Sequence, residues 1–315
     1  MLKDDVIYVA GHKGMVGSAT VRALKEKGYK NIITSIREEV DLRSYEETSL
    51  FFNNHQISHV VLAAAKVGGI LANSNYKADF ISDNINIGIN IVRACYEKKV
   101  KKLINLGSSC IYPKVCDMPI KEEALLSGKL EPTNEPYAIA KIAVLKMCES
   151  FYHQYACNYY SLMPCNLYGI NDNFDLKSSH VLPALINKVH HAKVNNLKKV
   201  ELWGSGKPLR EFLFSEDVAS AILFCLENVN AEDVYSQGIS HLNCGSNEEL
   251  SILDLMLKIK KIIGFDGEII LDESKPDGTF RKKMDNTRIN KLGFFPQVDM
   301  DEGIAKTYSW YISNL

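Results

Sequence analysis

No stretch of this 315-residue chain approaches the roughly 20 uninterrupted apolar residues that a membrane-spanning helix requires. The best candidate, residues 60–72, is broken by Lys66 and the Gly68-Gly69 pair. Cysteine pairs are also missing. The eight cysteines stand at 95, 110, 116, 148, 157, 165, 225 and 244, with no Cys-x-x-Cys and no Cys/His set at zinc-finger spacing. That argues against a metal site and fits reduced thiols in a cytoplasmic protein better than a disulfide framework. There is no excess of charge of either sign: the net charge is −1, which argues against a basic groove that tracks nucleic acid. The start, Met-Leu-Lys-Asp-Asp, meets an apolar run of only five residues, 6–10, too short and too acidic for a secretory leader. Proline is absent from the first 112 residues, and all nine prolines follow.

What is present is a large apolar fraction, 46%, enough for a substantial core. At roughly 150 residues per domain, the length predicts two domains. The proline-free part alternates short apolar runs with longer amphipathic stretches. Strands are predicted at 6–10, 31–36, 59–65 and 102–108, and helices at 15–27, 44–55 and 80–98. The helix at 44–55 opens with a capping box of Ser44 and Glu47. A helix at 137–155 and a strand at 159–167 continue the series. Continuous apolar strands separated by helices predict an α/β fold, a Rossmann-type doubly wound parallel sheet spanning residues 1–167. Residues 168–315 mix short strands (200–203, 241–244, 268–271) with helices near 181–194, 216–229, 248–263 and 299–313. They predict a smaller α/β C-terminal domain, with segments near 210–244 returning to the first. Ser246 with Glu249 is the expected cap of the 248–263 helix.

The first motif with chemical content is GHKGMVG at 11–17, between the first strand and the first helix. Only glycine lets the backbone turn sharply there and approach a pyrophosphate, and the helix N-terminus offers free N–H groups. Gly11, His12, Lys13, Gly14, Met15, Val16 and Gly17 are therefore the candidate dinucleotide loop. A glycine turn of this kind can also be purely structural, but its strand-turn-helix setting favours binding. No carboxylate ends the second strand to hold an NAD ribose, since the sequence there reads Thr34-Ser35-Ile36-Arg37. Arg37, with His12 or Lys13, can pair with a 2′-phosphate, which favours NADP(H). Asp41 and Leu42 follow within reach of the adenine.

The second constellation is Ser108-Ser109 at the end of the fourth strand, with Tyr137 and Lys141 about thirty residues on. Tyr137 and Lys141 stand four apart and share a helix face. An adjacent ammonium is expected to lower the phenol's pKa into the working range of a proton donor. Ser108 can polarise a carbonyl in the same crevice. Tyr-x-x-x-Lys alone is a common accident; in order with the glycine loop and Ser108 it is specific.

With these residues the chain resembles the GDP-L-fucose synthase family of extended short-chain dehydrogenases/reductases. The resemblance is carried by GHKGMVGSA from 11, AAAKVGG from 63, GSSCIYP from 107, EPTNEPYAIAK from 131, PCNLYG from 164, DNF from 172, WGSGKPLREF from 203 and KPDGTFR from 275. It covers essentially the whole chain. It implies C3/C5 epimerisation followed by NADPH-dependent C4 reduction of a GDP-4-keto-6-deoxy-hexose, in a homodimer built through a four-helix bundle. Cys110 and His180, unremarkable as a lone cysteine and a lone histidine, fall where the family carries its epimerising acid/base pair. Ser108, Tyr137 and Lys141 fall on the reductase residues. The resemblance widens the cofactor set to Ala63, Ala64, Ala65, Leu106, Gly107, Ser109, Pro164, Cys165, Asn166, Leu167 and His180. Lys188, Trp203, Arg210 and Asp277 fall on positions that contact the GDP-sugar. Residues 168–315 would then mainly bind substrate.

The chain departs from the family pattern at Cys165 (threonine expected), Ile170 (proline), Lys188 (arginine) and Phe280 (a small residue or proline). These changes leave open a larger sugar, a GDP-4-keto-6-deoxy-heptose of capsule or lipopolysaccharide assembly, with or without epimerisation. Ser109-Cys110 stands where a 4,6-dehydratase needs an acidic pair. A 4-epimerase holding NAD would want the missing acid after strand two. A non-catalytic NADP-binding regulator is the reading from another class, though such a protein would be expected to lose Tyr137 or Lys141. The apolar residues of the 137–155 helix exceed what one sheet can cover, which agrees with a homodimer.

Overall fold

The computed structural model describes residues 1–315 apart from Lys177 and Pro276 and apart from the side chains of Ile70 and Leu71. The first part runs β1 (Ile7–Ala10), α1 (Met15–Glu26), β2 (Ile32–Ile33), α2 (Tyr45–Asn54), β3 (His59–Leu62), α3 (Ile70–Asn75), α4 (Lys77–Glu97), β4 (Lys102–Leu106), α5 (Glu135–Tyr155) and β5 (Tyr159–Pro164). The second runs β6 (Asn166–Tyr168), α6 (Val181–Val194), β7 (Lys199–Trp203), β8 (Leu209–Arg210), β9 (Phe212–Phe214), α7 (Ser215–Asn228), α8 (Ala231–Tyr235) and β10 (His241–Cys244). It ends with β11 (Leu250–Ser251), α9 (Ile252–Ile263), β12 (Glu268–Asp272), β13 (Arg281–Lys282), α10 (Thr287–Leu292) and α11 (Met300–Ser313).

Six strands form one sheet in the order β10-β5-β4-β3-β1-β2, all neighbours parallel. Burial on both faces explains why the central strands are mainly apolar, and the buried polar residues of β4 and β10 have hydrogen-bond partners, Lys102 on the Val229 carbonyl and His241 on Tyr112. Alternate residues point to opposite faces. Ile7 and Val9 pack with Leu24 of α1 and with Val218 and Ile222 of α7; Tyr8 and Ala10 pack with Phe51 and Phe52 of α2 and Ile91 of α4. The chain leaves β1 for β2 on one side, then crosses to β3 on the other. This places a switch point at the carboxyl ends of β1 and β3, where open α/β sheets bind ligands. β10 joins the sheet beside β5, in parallel register from His241 opposite Ser161 to Cys244 opposite Pro164. A separate core of Leu185, Ile186, Leu202, Phe212, Leu255 and Ile259 fills the C-terminal elements. No helix among the described residues is long and apolar enough to cross a membrane.

Several local expectations change. The second strand shrinks to two residues because Thr34 to Arg37 turn away from β1. The strand expected at 159–167 is two: β5 stays in the sheet, while β6 pairs with β9. Cys165 lies between them, its N–H bonded to the Cys244 carbonyl at 3.0 Å. Helix 248–263 begins at Ile252, capped by Ser251 (from the Asp254 N–H) and not by Ser246, whose hydroxyl serves a tight turn with Glu248. Ser44 caps α2 as expected, but Glu47 turns to the Asp41 N–H and leaves the capping box half made.

Candidate active site

The glycine loop sits at the switch point. Gly11 has φ +84°, a left-handed conformation, and a Cβ there would meet the Ala64 backbone at 2.7 Å. A Cβ on Gly17 would lie 2.1 Å from the Gly11 carbonyl oxygen. The turn is thus as close to the end of β3 and to the first turn of α1 as backbone can be. Gly14 is the N-cap of α1 and brings no side-chain cap, so the first N–H groups of the helix are left for a ligand. His12 Nδ1 is buried without a hydrogen-bond partner. A two-glycine cradle, an open helix end and an orphaned buried donor or acceptor fit a dinucleotide pyrophosphate.

The end of β2 is charged and largely exposed. Arg37 reaches Asp41 only loosely, at 3.8 Å, and is 65% exposed. Asp41 is committed to Arg43, which donates through Nε at 2.9 Å and Nη2 at 2.5 Å. The hydrogen bonds from Arg43 hold the Asp41 carboxyl down at about 2. Asp41 therefore has little free capacity for an adenine amino group, while the Arg37 guanidinium is available to a phosphate. Leu42 contributes its carbonyl to Asn90 Nδ2 at 2.9 Å, tying this loop to α4.

The second cluster forms where β4 ends and α5 begins. Ser108 closes β4, and its hydroxyl accepts the Cys110 N–H at 3.3 Å in the single 3-10 turn Ser109–Ile111. Tyr137 stands in the first turn of α5, where the Ser108 hydroxyl can donate to its phenolate. Lys141, 6% exposed, lies beneath the phenol, its Nζ 5.9 Å from the ring centroid and donating to the Leu106 carbonyl at 2.9 Å. The expected electrostatics are reversed. Burial drives the phenol upward, the Cys110 charge adds to that, and the Ser108 hydrogen bond only partly opposes it. Burial lowers the Lys141 ammonium from 10.5 to about 8. Desolvation is the largest effect on both groups, so burial and not their mutual attraction sets the balance.

Cys110 is half-buried, and Asn134 Nδ2 donates to its sulfur at 3.3 Å. His180 comes from the other part of the chain, as the N-cap of α6. Its surface is open to solvent, yet the surrounding protein lowers its imidazole pKa by desolvation. Two tethers hold the segment that delivers it. The Gly69 N–H donates to the Ser178 carbonyl at 3.1 Å, and Asn171 Nδ2 donates to the Lys13 carbonyl at 2.5 Å. Among the described residues no hydrogen bond joins Cys110 to His180.

The four expected substrate contacts lie on the C-terminal part. Arg210 is the second residue of β8, the middle strand of the β11-β8-β13 sheet. Nearby Glu249 is bound bidentately by Arg281, with Nη2 at 2.8 Å, and no carboxylate among the described residues lies within ion-pair distance of Arg210. Desolvation lowers the Arg210 guanidinium pKa, as expected for a cation that awaits an anion. Trp203 is 57% exposed, with Lys188 Nζ 4.2 Å and Lys275 Nζ 5.7 Å from its ring. Asp277 accepts the Ser205 N–H at 2.9 Å and its hydroxyl at 2.7 Å, which fixes the Gly204-Ser205 turn. Phe280 is 68% exposed. Pro276 of the same motif lies outside the described residues.

Residues 7–245 match the NAD dependent epimerase/dehydratase family. GDP-L-fucose synthase 1 of Arabidopsis thaliana is 49% identical over 313 residues, 99% of this chain and 95% of the relative. GDP-L-fucose synthase of Escherichia coli (strain K12) is 46% identical over 312 residues, 98% of this chain and 97% of the relative. The solved GDP-mannoheptose C4 reductase of Campylobacter jejuni, with NADP bound, superposes with a TM-score of 0.90 at 34% identity, covering 99% of each chain. The chain belongs to the GDP-L-fucose synthase family. In this member, Asn134, Gly69 and Asn171 are the site residues that spacing alone did not single out. Asn134 before Glu135-Pro136 reads as an ordinary helix cap. Gly69 reads as loop, and Asn171 gives no signal beyond the left-handed turn (φ +68°) that asparagine tolerates.

Proposed function

We propose that this chain is an NADPH-dependent GDP-4-keto-6-deoxy-hexose 3,5-epimerase-4-reductase, acting as a GDP-L-fucose synthase does. The observation that carries the reading is the joint presence of the Ser108-Tyr137-Lys141 cluster and of Cys110 beside it, opposite a glycine cradle with an open helix end.

Gly11, Gly14, Gly17 and the α1 N-terminus hold the pyrophosphate, and His12, Lys13 and Arg37 take the 2′-phosphate. Asp41, Leu42, the alanines 63–65, Leu106, Gly107, Ser109 and the 164–167 segment line the remainder of the cofactor's length. The bound cofactor supplies a hydride to C4 and nothing else. Arg210 and Lys188 neutralise the diphosphate, Trp203 walls the sugar side, and Asp277 accepts from the nucleoside. The carbonyl at C4 acidifies the C3 and C5 protons. Cys110 as thiolate removes a proton: the C–H bond breaks, its electron pair passes to the C4 oxygen, and an S–H bond forms. Ser108 and Tyr137 donate hydrogen bonds to the resulting enolate oxygen. His180 returns a proton to the opposite face, which inverts the centre. For reduction, Tyr137 gives its proton to the C4 oxygen, and Lys141 stabilises the phenolate that forms.

Residues 168–315 mainly bind the GDP-sugar in this reading. The chain works in the cytoplasm, where its eight free cysteines stay reduced. It is a homodimer: α4 and α5 pack together and expose Tyr96, Ile139 and Tyr155, with the Tyr96 and Tyr155 rings 4.5 Å apart and tilted by 33° across the two helices. A second reading, C4 reduction of a GDP-heptose, is favoured by the Campylobacter jejuni reductase and by the exposed Phe280.

The deciding experiment uses purified protein, NADPH and GDP-4-keto-6-deoxy-D-mannose in D2O, followed at the nicotinamide band and by NMR of the product. Rapid oxidation with deuterium at C3 and C5 is the expected result. Oxidation without deuterium refutes the epimerase half. Bound but unoxidised cofactor, with turnover of the heptose analogue, favours the second reading.

A further inference from the structure

We infer that Asn134 is a positioning residue for epimerisation: its amide N–H is aimed at the Cys110 sulfur and supports the anion that removes a proton, and its amide carbonyl receives a hydroxyl of the sugar. The inference rests on the epimerase/reductase reading above. Asn134 occupies the N-cap of α5, where an asparagine side chain ordinarily accepts a backbone N–H of the first turn. Here it makes no such bond. The amide turns instead to Cys110 and gives Nδ2 to the sulfur at 3.3 Å. That orientation has a chemical sense. A donor aimed at sulfur favours the thiolate, whereas an acceptor in the same place would favour the thiol.

The other end of the amide points the same way. Asn134 Oδ1 is buried and has no hydrogen-bond partner. A buried carbonyl without a donor is costly, and native proteins keep few of them. A sugar hydroxyl next to the carbon under attack is a donor of the right kind, and it would fix that carbon against the sulfur. The groups facing Cys110 are few. Its own N–H goes to Ser108 Oγ, Tyr137 of α5 is coupled to it electrostatically, and Lys141 lies behind the phenol ring. Among the described residues Asn134 supplies the side-chain N–H that reaches the sulfur. When the proton arrives on sulfur, the negative charge moves to the C4 oxygen, and the Asn134 N–H loses its anionic acceptor while Ser108 and Tyr137 gain one.

The test compares wild type, Asn134→Ala and Asn134→Asp. Cys110 is alkylated with iodoacetamide across a pH series, and its peptide is quantified by mass spectrometry. A hydrogen bond to an anion is worth about a tenfold change, so the Asn134→Ala profile moves to higher pH by about one unit. Asn134→Asp, which puts a carboxylate against the sulfur, moves it further. Deuterium wash-in at C3 and C5 of GDP-4-keto-6-deoxy-D-mannose falls about tenfold at neutral pH in Asn134→Ala, and its pH profile moves with the alkylation profile. Protection of the buried Cys95 and Cys244 in the same spectra reports that the variants are folded. Wash-in by wild type with unmoved profiles in both variants overturns this inference alone. Moved alkylation profiles with no wash-in by wild type overturn the epimerase reading, and with it the role assigned to Asn134.

Discussion

Lys141→Met should stabilise this protein near neutral pH while abolishing reduction. The ammonium is 6% exposed, and burial takes its pKa from 10.5 to about 8. One pKa unit corresponds to about 1.4 kcal/mol, so the charged form costs roughly 3 kcal/mol in the folded chain. Below pH 8 both folded and unfolded chains carry the charge, and the cost is fully present. Between about 8 and 10.5 the unfolded chain binds the proton and the folded chain does not. Stability then rises with pH through that window, and above it the cost is gone.

Methionine removes the charge but also the hydrogen bond to the Leu106 carbonyl, worth about 1–2 kcal/mol. The net gain at pH 7 is therefore about 1–2 kcal/mol, and the advantage over wild type shrinks and reverses as the pH passes 9. Urea midpoints of wild type and Lys141→Met, measured in parallel at pH 7 and pH 9.5, test this. The other titrating groups are common to both proteins and cancel in the difference. A variant less stable than wild type at pH 7, or a difference independent of pH, refutes the reasoning. The same variant should lose C4 reduction because nothing then stabilises the Tyr137 phenolate.

Two further outcomes follow from the cofactor end of the site. Gly17→Ala places a methyl 2.1 Å from the Gly11 carbonyl oxygen, a backbone contact no rotamer relieves, so the loop must open. NADPH affinity, read by fluorescence titration, should fall at least tenfold while the far-ultraviolet circular dichroism of the sheet is kept. Arg37→Ala removes the exposed guanidinium at the end of β2 and should raise the KM for NADPH about tenfold, with the KM for NADH little changed. Equal losses for both cofactors would remove Arg37 from the 2′-phosphate site.

The legible part of the fold was the part governed by repetition. Most sheet strands are mainly apolar and the helices between them are longer, so strand-helix alternation fixes class and order without long-range information. Elements governed by distant partners were less legible. Residues 159–167 form one apolar run, yet the chain changes sheets after Pro164 because Asn166 to Tyr168 find Phe212 to Phe214, over forty residues away. Likewise Ser246 and Ser251 both look like caps, and only the pairing of β11 with β8 decides that α9 starts after Ser251. In the site, Tyr137 and Lys141 were visible because a helix brings residues four apart onto one face. Their charge balance was not visible, since it depends on how deeply both are buried.

The arrangement also divides the chemistry between two kinds of support. Ser108, Cys110, Tyr137 and Lys141 all hang on the β4–α5 junction, beside the central sheet, and Lys141 is the most buried of the four. His180 does not share that support. It is held by hydrogen bonds at Gly69, beside the end of β3, and at Lys13 through Asn171 in the glycine loop itself. Both tethers run to the cofactor side of the crevice. Whatever shifts the glycine loop therefore reaches the expected acid for epimerisation through the 171–180 segment, while leaving the β4–α5 cluster where the sheet puts it. A Cβ at Gly69 would press on the Ser178 and Ser179 carbonyls at 3.1 Å and disturb the same segment from its other end. In the proposed reading the reductase residues are thus built into the fold, while the expected acid for epimerisation is carried on a loop tethered at Gly69 and Lys13.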